Sequence, residues 1–244
     1  MLAAFGLLFA AGGSERSTPS MRDTKIGRRE AIAVIGAASA ALALGCRESP
    51  ASPSATTGTG SNAACAVTPA ETLGPFPSRT DLFRGDIREG KSGTLLTLTI
   101  RVVNVSSACA AVPNANVEIW HVDAAGDYSE YGSQTSQTFL RGIQTTNSSG
   151  DVAFTTIYPG WYQGRATHIH VEVVIDGVSR KVTQIAFPES VNNAVHGSGV
   201  YAARGANPIS NTSDGIFADS LSSELITPAG NAASGYSATF RVGI

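Results

Sequence analysis

From Thr94 onward the chain alternates between apolar and polar positions. Leu96, Leu98, Ile100 and Val102 fall on one side of an extended segment, and Thr97, Thr99 and Arg101 fall on the other, because successive strand residues face opposite ways. The same period of two recurs in "NANVEIW", where Ala115, Val117 and Ile119 share a face. It recurs again in "GDVAFTTIY" after the turn "NSSG", in "HIHVEVVIDG", in "RKVTQIAF", and in "YSATFRVGI", where Ala238, Phe240, Val242 and Ile244 point inward. Gly, Asn, Asp and Pro punctuate the gaps. Short alternating segments joined by such turns predict one all-β domain, an antiparallel β-sandwich. No sustained helical period and no internal repeat is found downstream of the leader.

The first quarter of the chain has a different pattern. "KIGRREAIAVIGAASAALALGC" is a basic stretch, then an uncharged apolar run from Ala31 to Leu44, then Gly45 and Cys46. That run is too short to span a bilayer and suits the apolar part of an export signal. Arg28 and Arg29 directly before it match a twin-arginine signal. "ALALGC" is similar to a lipoprotein processing site with Cys46 as the lipidated residue, and simple cleavage near Ala43 is the alternative. A tidy signal begins at Met21, which points to a start there and not at Met1. Residues 47–63, rich in Ser, Pro, Thr, Ala and Gly, cannot bury a core and read as a flexible linker. The expected organisation is an export signal over 1–46, a linker over 47–63 and a folded domain over 64–244. The protein is then exported to the cell envelope or beyond, with membrane attachment through lipidated Cys46.

Composition narrows the partners. The chain is 42% hydrophobic and 15% charged, with a formal net charge of −2, and no basic cluster lies outside the leader. Nucleic acid is excluded as a partner, since neutralising phosphates needs a positive face. Past the leader only Cys65 and Cys109 remain, and in an exported protein an even pair is most simply a disulfide. Two unrelated free thiols are the other reading.

The candidate chemistry centres on "GWYQGRATHIHVEV", which holds two of the four histidines. On a strand His168 and His170 project side by side while Ile169, Val171 and Val173 fill the opposite face. An isolated H-x-H is more often an ordinary pair of polar residues, so its neighbours decide. Tyr128, Tyr131, Tyr158 and Tyr162 are the candidates to join it, and Glu172 is the one carboxylate close in sequence. A phenol has an ordinary pKa near 10, so tyrosine ligation needs a hard, highly charged ion. Two His and two Tyr point to Fe(III) more than to zinc. His121, after Trp120, reads as a structural histidine, His196 as part of a Gly-containing loop without a partner, and Asp214 as a turn residue.

"VPNANVEIWHVDAAGDYSEYG", "FLRGIQTTNSSGDVAFTTIYPGWYQGRATHIHVEV" and "TPAETLGPFP" together resemble the intradiol ring-cleavage dioxygenases, the family of protocatechuate 3,4-dioxygenase and catechol 1,2-dioxygenase. The resemblance covers Val67 to Phe187, with a continuation through "VYAARGANPISNTSDGIF". It implies a prealbumin-like β-sandwich carrying Fe(III). It also implies a reaction in which O2 and a catechol give a cis,cis-muconate by cleavage between the hydroxyl-bearing carbons. By position it implies Tyr128, Tyr162, His168 and His170 as metal ligands, with Tyr162 the one that leaves when substrate chelates. It further implies Arg165 over the substrate ring and Gln184, in "VTQIAF", as an orienting residue.

Two departures from the family pattern bear on substrate and assembly. Only "QGRAT" separates Tyr162 from His168, where aromatic-acid enzymes carry a longer, pocket-walling insert. The linker also passes directly into the sandwich, without the helical domain of the catechol 1,2-dioxygenase branch. The rival from another class is a non-catalytic exported β-sandwich, a binding or adhesion lipoprotein, since fold alone never fixes function. All four ligand positions and Arg165 being filled argues against it.

Overall fold

The computed structural model describes residues 65–244. The export signal, the linker and Cys46 lie outside them. Nine strands, β1 (Leu95–Asn104), β2 (Ala110–Ala111), β3 (Asn116–Trp120), β4 (Arg141–Thr145), β5 (Asp151–Ile157), β6 (His168–Ile175), β7 (Val178–Ala186), β8 (Ala229–Asn231) and β9 (Gly235–Gly243), build two sheets. One runs β2-β1-β9-β8, with β5 paired to β1, and the other runs β4-β3-β6-β7. Two short helices, α1 (Glu189–His196) and α2 (Leu221–Glu224), lie in the connection between β7 and β8. This is the expected all-β sandwich.

The core follows the alternation. Leu96, Leu98, Ile100 and Val102 of β1 and Phe240 and Val242 of β9 are fully buried, as are Val117 and Ile119 of β3 and Ile169, Val171 and Val173 of β6. Each such side chain stabilises the fold by about 1.5–3 kcal/mol through burial, which pins the register, because a one-residue slip would turn every one of them outward.

Two features depart from the sequence reading. β9 pairs with β1 in parallel, from Leu96↔Tyr236 to Val103↔Gly243, while the other pairings are antiparallel. A parallel neighbour requires a long crossover, and here the chain between β1 and β9, which includes the second sheet, makes that connection. The second is α1, which places His196 at a helix end and not in a loop. His196 is buried, and its Nε2 lies 3.2 Å from the Pro159 carbonyl. A single turn-spaced pair, Val191 and Val195, is too short to register as a helical period.

Cys65 and Cys109 form a disulfide with a Cα–Cα distance of 5.7 Å. It anchors the beginning of an extended segment that runs across the outer face of the second sheet. Thr68 N–H donates to the Gly243 carbonyl and Glu71 N–H to the Val182 carbonyl, and Lys181 Nζ donates to the Thr68 carbonyl. This cover is why polar outward residues of β3, β6 and β7 are buried.

α2 places Glu224 under β7, fully buried, where its carboxyl accepts from Ser220 Oγ (2.5 Å) and Thr183 Oγ1 (3.0 Å). Burial pushes its pKa up to about 7, with Glu71 adding to the shift and the hydroxyls opposing it. A carboxyl raised from its ordinary 4.5 contributes stability that is complete below pH 4.5 and is lost as pH rises through 7. Glu224→Gln should therefore gain on the wild type between pH 5 and pH 8, by up to about 3 kcal/mol. Denaturant midpoints of both proteins across that range check it, and a difference that does not change with pH would contradict it.

Candidate metal centre

β6 presents His168 and His170 on the outer face of the second sheet, as the period of two requires. Across the ladder His170 sits opposite Trp120 of β3 and Gln184 of β7. The Trp120 ring stacks on His170, with 4.8 Å between centroids and 1° between planes. The tautomer of His168 is fixed by its surroundings: Nδ1 lies 2.6 Å from the Ala166 carbonyl, which can only accept, so Nδ1 carries the proton and Nε2 a lone pair. The two Nε2 atoms converge to 3.2 Å. Burial drives the His168 pKa down to about 3, and burial followed by the neighbouring His168 drives that of His170 well below its ordinary value.

The two tyrosines arrive on loops. Asp123 shapes the first by accepting the Ala125 and Asp127 N–H groups on Oδ1 (2.9 and 3.0 Å) and binding Lys91 Nζ on Oδ2 (2.7 Å). Gly126 follows at φ +88, with the Trp161 carbonyl packed where a Cβ would stand. Only glycine permits both the angle and the approach, so the loop before Tyr128 and the loop before Tyr162 touch backbone to backbone. The Tyr128 and Tyr162 rings consequently lie 5.6 Å apart, Tyr162 is 5.6 Å from His168, and Tyr128 is 6.4 Å from His170.

From the covering segment, Gly74 (φ +69) passes so close to the His170 ring that a Cβ would lie 3.1 Å from Cε1. Phe76 then packs on Tyr128 at 4.8 Å. Buried Arg141 ties this segment to the Tyr128 loop, donating to the Phe76 carbonyl (3.0 Å), the Ser129 carbonyl (2.7 Å) and Ser129 Oγ (2.9 Å). Between Phe76, Tyr128, Tyr131, Tyr162, Asp127 and Gln134 lies an open cleft of about 180 Å³.

These donors fit a hard trivalent cation. Tyr128 is 6% exposed, and its hydroxyl finds no hydrogen-bond partner among the described residues, although a buried polar group normally has one. The His168 Nε2 lone pair faces His170 Nε2 at 3.2 Å, and burial keeps both rings from taking a second proton. Burial, then the nearby Tyr162, raises the Tyr128 pKa well above 10, and burial raises that of Tyr162 against the pull of Arg165. Among the described residues no group of three or more His, Cys, Asp or Glu could hold a metal, so a metal here draws on the phenols.

Arg165 and Gln184 lie beside these donors and meet each other, Nη2 donating to Oε1 at 2.6 Å. All six residues singled out in the sequence are thus gathered on one face. Tyr131 and Tyr158 serve packing: the Tyr131 hydroxyl donates to the Pro77 carbonyl and that of Tyr158 to Asn192. His121 lies within 2.8 Å of both the Val122 carbonyl and Thr156 Oγ1. Neither Trp120 nor Phe76 is among the candidates the sequence offers, and it reads Asp214 only as a turn residue. Asp214 does more than make a turn, because its Oδ2 accepts from Arg165 Nε (2.8 Å) and from Ala166 N–H (2.6 Å).

The Dioxygenase family matches residues 74–206. An intradiol ring-cleavage dioxygenase from Tetranychus urticae is 28% identical over 74% of this chain and 94% of its own, with a TM-score of 0.66. The dioxygenase domain of a carbohydrate-binding fusion protein from the cellulolytic bacterium Streptomyces sp. SirexAA-E is 25% identical over 73% and 98%, with a TM-score of 0.55. Catechol 1,2-dioxygenase from Pseudomonas arvilla C-1, at 18% identity over 72% and 61% and a TM-score of 0.54, shares the fold. Among curated proteins none matches.

Proposed function

Because this chain belongs to the intradiol ring-cleavage dioxygenase family, we propose that it uses Fe(III) and O2 to open a catechol between its hydroxyl-bearing carbons. The product is a cis,cis-muconate. Tyr128, Tyr162, His168 and His170 would hold the ion. The observation that carries this reading is the convergence of the His168 and His170 Nε2 atoms to 3.2 Å beside the buried Tyr128 hydroxyl, which has no hydrogen-bond partner among the described residues. When bound, a ferric ion supplies the charge that keeps phenolates ionised at neutral pH and a Lewis-acid template for the two catechol oxygens.

The chain's own residues have distinct tasks. Tyr128 is 6% exposed and packed against Phe76 at 4.8 Å. Tyr162 is half-buried and borders the cleft, so its ring can turn aside and its Oη take a proton from the incoming catechol. His168 is locked by the Ala166 carbonyl, and His170 by the stacked Trp120. Arg165, fixed against Gln184, offers a preorganised positive charge where the ring gains electron density. The leader makes this an exported enzyme of the cell envelope or the medium, held at the membrane when Cys46 is lipidated.

The short connection between Tyr162 and His168, with Gln163 and Gly164 exposed, supports tolerance of substituted catechols. A lost wall contact changes discrimination by roughly 1–3 kcal/mol. Oxygen uptake with catechols of increasing size should show kcat/KM varying within about a hundredfold, with bulky rings still accepted. A sharp loss with any ring substituent would show that another segment, such as Leu73–Pro77, closes the pocket.

A further inference from the structure

Arg165 is held by two acceptors on different elements. Nη2 donates to Gln184 Oε1 on β7 at 2.6 Å, and Nε donates to Asp214 Oδ2 at 2.8 Å. The Asp214 side chain is fully buried and cannot follow the arginine if it moves, because the backbone grips both of its oxygens. Oδ2 also accepts from Ala166 N–H at 2.6 Å, and Oδ1 accepts from Ile216 N–H at 2.8 Å. The surroundings are apolar, with Ala166, Ala186 and Phe217 packed together and the guanidinium carbon 5.8 Å from the Phe217 ring. A buried ion pair in such a place is no better for stability than apolar side chains of the same volume. Its distinctive property is direction, since with Nε and Nη2 taken the guanidinium plane is fixed.

We infer that Asp214 is a positioning residue that fixes the guanidinium of Arg165 for the ring-cleavage step. The inference rests on the proposed dioxygenase reading. Burial opposes ionisation of Asp214, but the Ala166 and Ile216 N–H groups and Arg165 outweigh it, and its pKa lies below the ordinary carboxylate value. It is therefore an anion throughout the neutral range.

Asp214→Asn keeps the shape and one oxygen for Ala166 N–H, while removing the charge opposite Arg165. It is compared with Arg165→Met and with the double variant, each loaded with iron and corrected for iron content. Arg165→Met should lower kcat about a hundredfold. Asp214→Asn should lower it at least about tenfold, with KM and the anaerobic dissociation constant of catechol, read from the visible spectrum, within about threefold. The double variant should be no slower than Arg165→Met, because the two side chains act as one unit. Asp214→Asn at full kcat, or a double variant slowed by the product of the single effects, overturns the inference. If Asp214→Asn fails to fold, the double variant against Arg165→Met carries the same test: equal kcat supports it, and a further tenfold fall overturns it. A wild-type protein that binds iron and cleaves no catechol overturns the dioxygenase reading and this inference with it. Loss confined to Asp214→Asn thermal stability, with kcat intact, overturns the inference alone.

Discussion

Replacing Tyr128 by phenylalanine is expected to remove most of the visible absorption of the ferric protein and to loosen the ion, whereas Tyr162→Phe keeps iron and slows catechol binding. The difference follows from burial. Tyr128 is 6% exposed and packed by Phe76 at 4.8 Å, and its hydroxyl has no hydrogen-bond partner among the described residues. In the proposed centre its phenolate would be the permanent charge partner of the ion, so its loss would remove the tyrosinate-to-iron transition and a hard ligand together. Tyr162 stands at the edge of the cleft with Arg165 acting on its phenol. Without its oxygen a base for one substrate proton is gone, which lowers kcat/KM by about 10²–10⁴. Iron content, the visible spectrum and stopped-flow binding of catechol separate the two. Equal iron loss and equal kinetics in both variants would contradict the division of roles.

Breaking the Cys65–Cys109 disulfide should be the largest single loss of stability. The bond spans 44 residues, for which the chain-entropy relation gives about 4 kcal/mol. For a domain of this size that corresponds to a fall in Tm of roughly 8–16 °C. The effect should reach the metal centre, because Cys65 anchors the segment carrying Gly74 and Phe76 over His170 and Tyr128. Thermal unfolding of the Cys65→Ser/Cys109→Ser variant, with thiol counting of the denatured wild type, tests it. A loss below about 1 kcal/mol, or two free thiols in the wild type, would contradict it.

What the sequence conveys about this fold is local. The faces of β1, β3, β6 and β9 are legible because alternation is written residue by residue, and His168 and His170 share a face for the same reason. The direction of β9 beside β1 is not, since inward and outward positions look alike in parallel and antiparallel strands. Asp214 reads only as a turn residue because its partner Arg165 is 49 residues away and "TSDGIF" is also a good turn. Trp120 becomes a platform for His170 only through the register that sets it opposite that ring. Tyr128 and Tyr162 come together through Gly126, whose need for a positive φ and a backbone contact is invisible until both loops are placed.

The decisive measurement is the mass of the product formed from catechol under ¹⁸O2 by the iron-loaded protein. An intradiol enzyme built on Tyr128, Tyr162, His168 and His170 gives cis,cis-muconate with label from the gas, and gives none once His168 is replaced by alanine. Unlabelled product, a semialdehyde from cleavage beside the diol, or an unchanged rate in His168→Ala would contradict it.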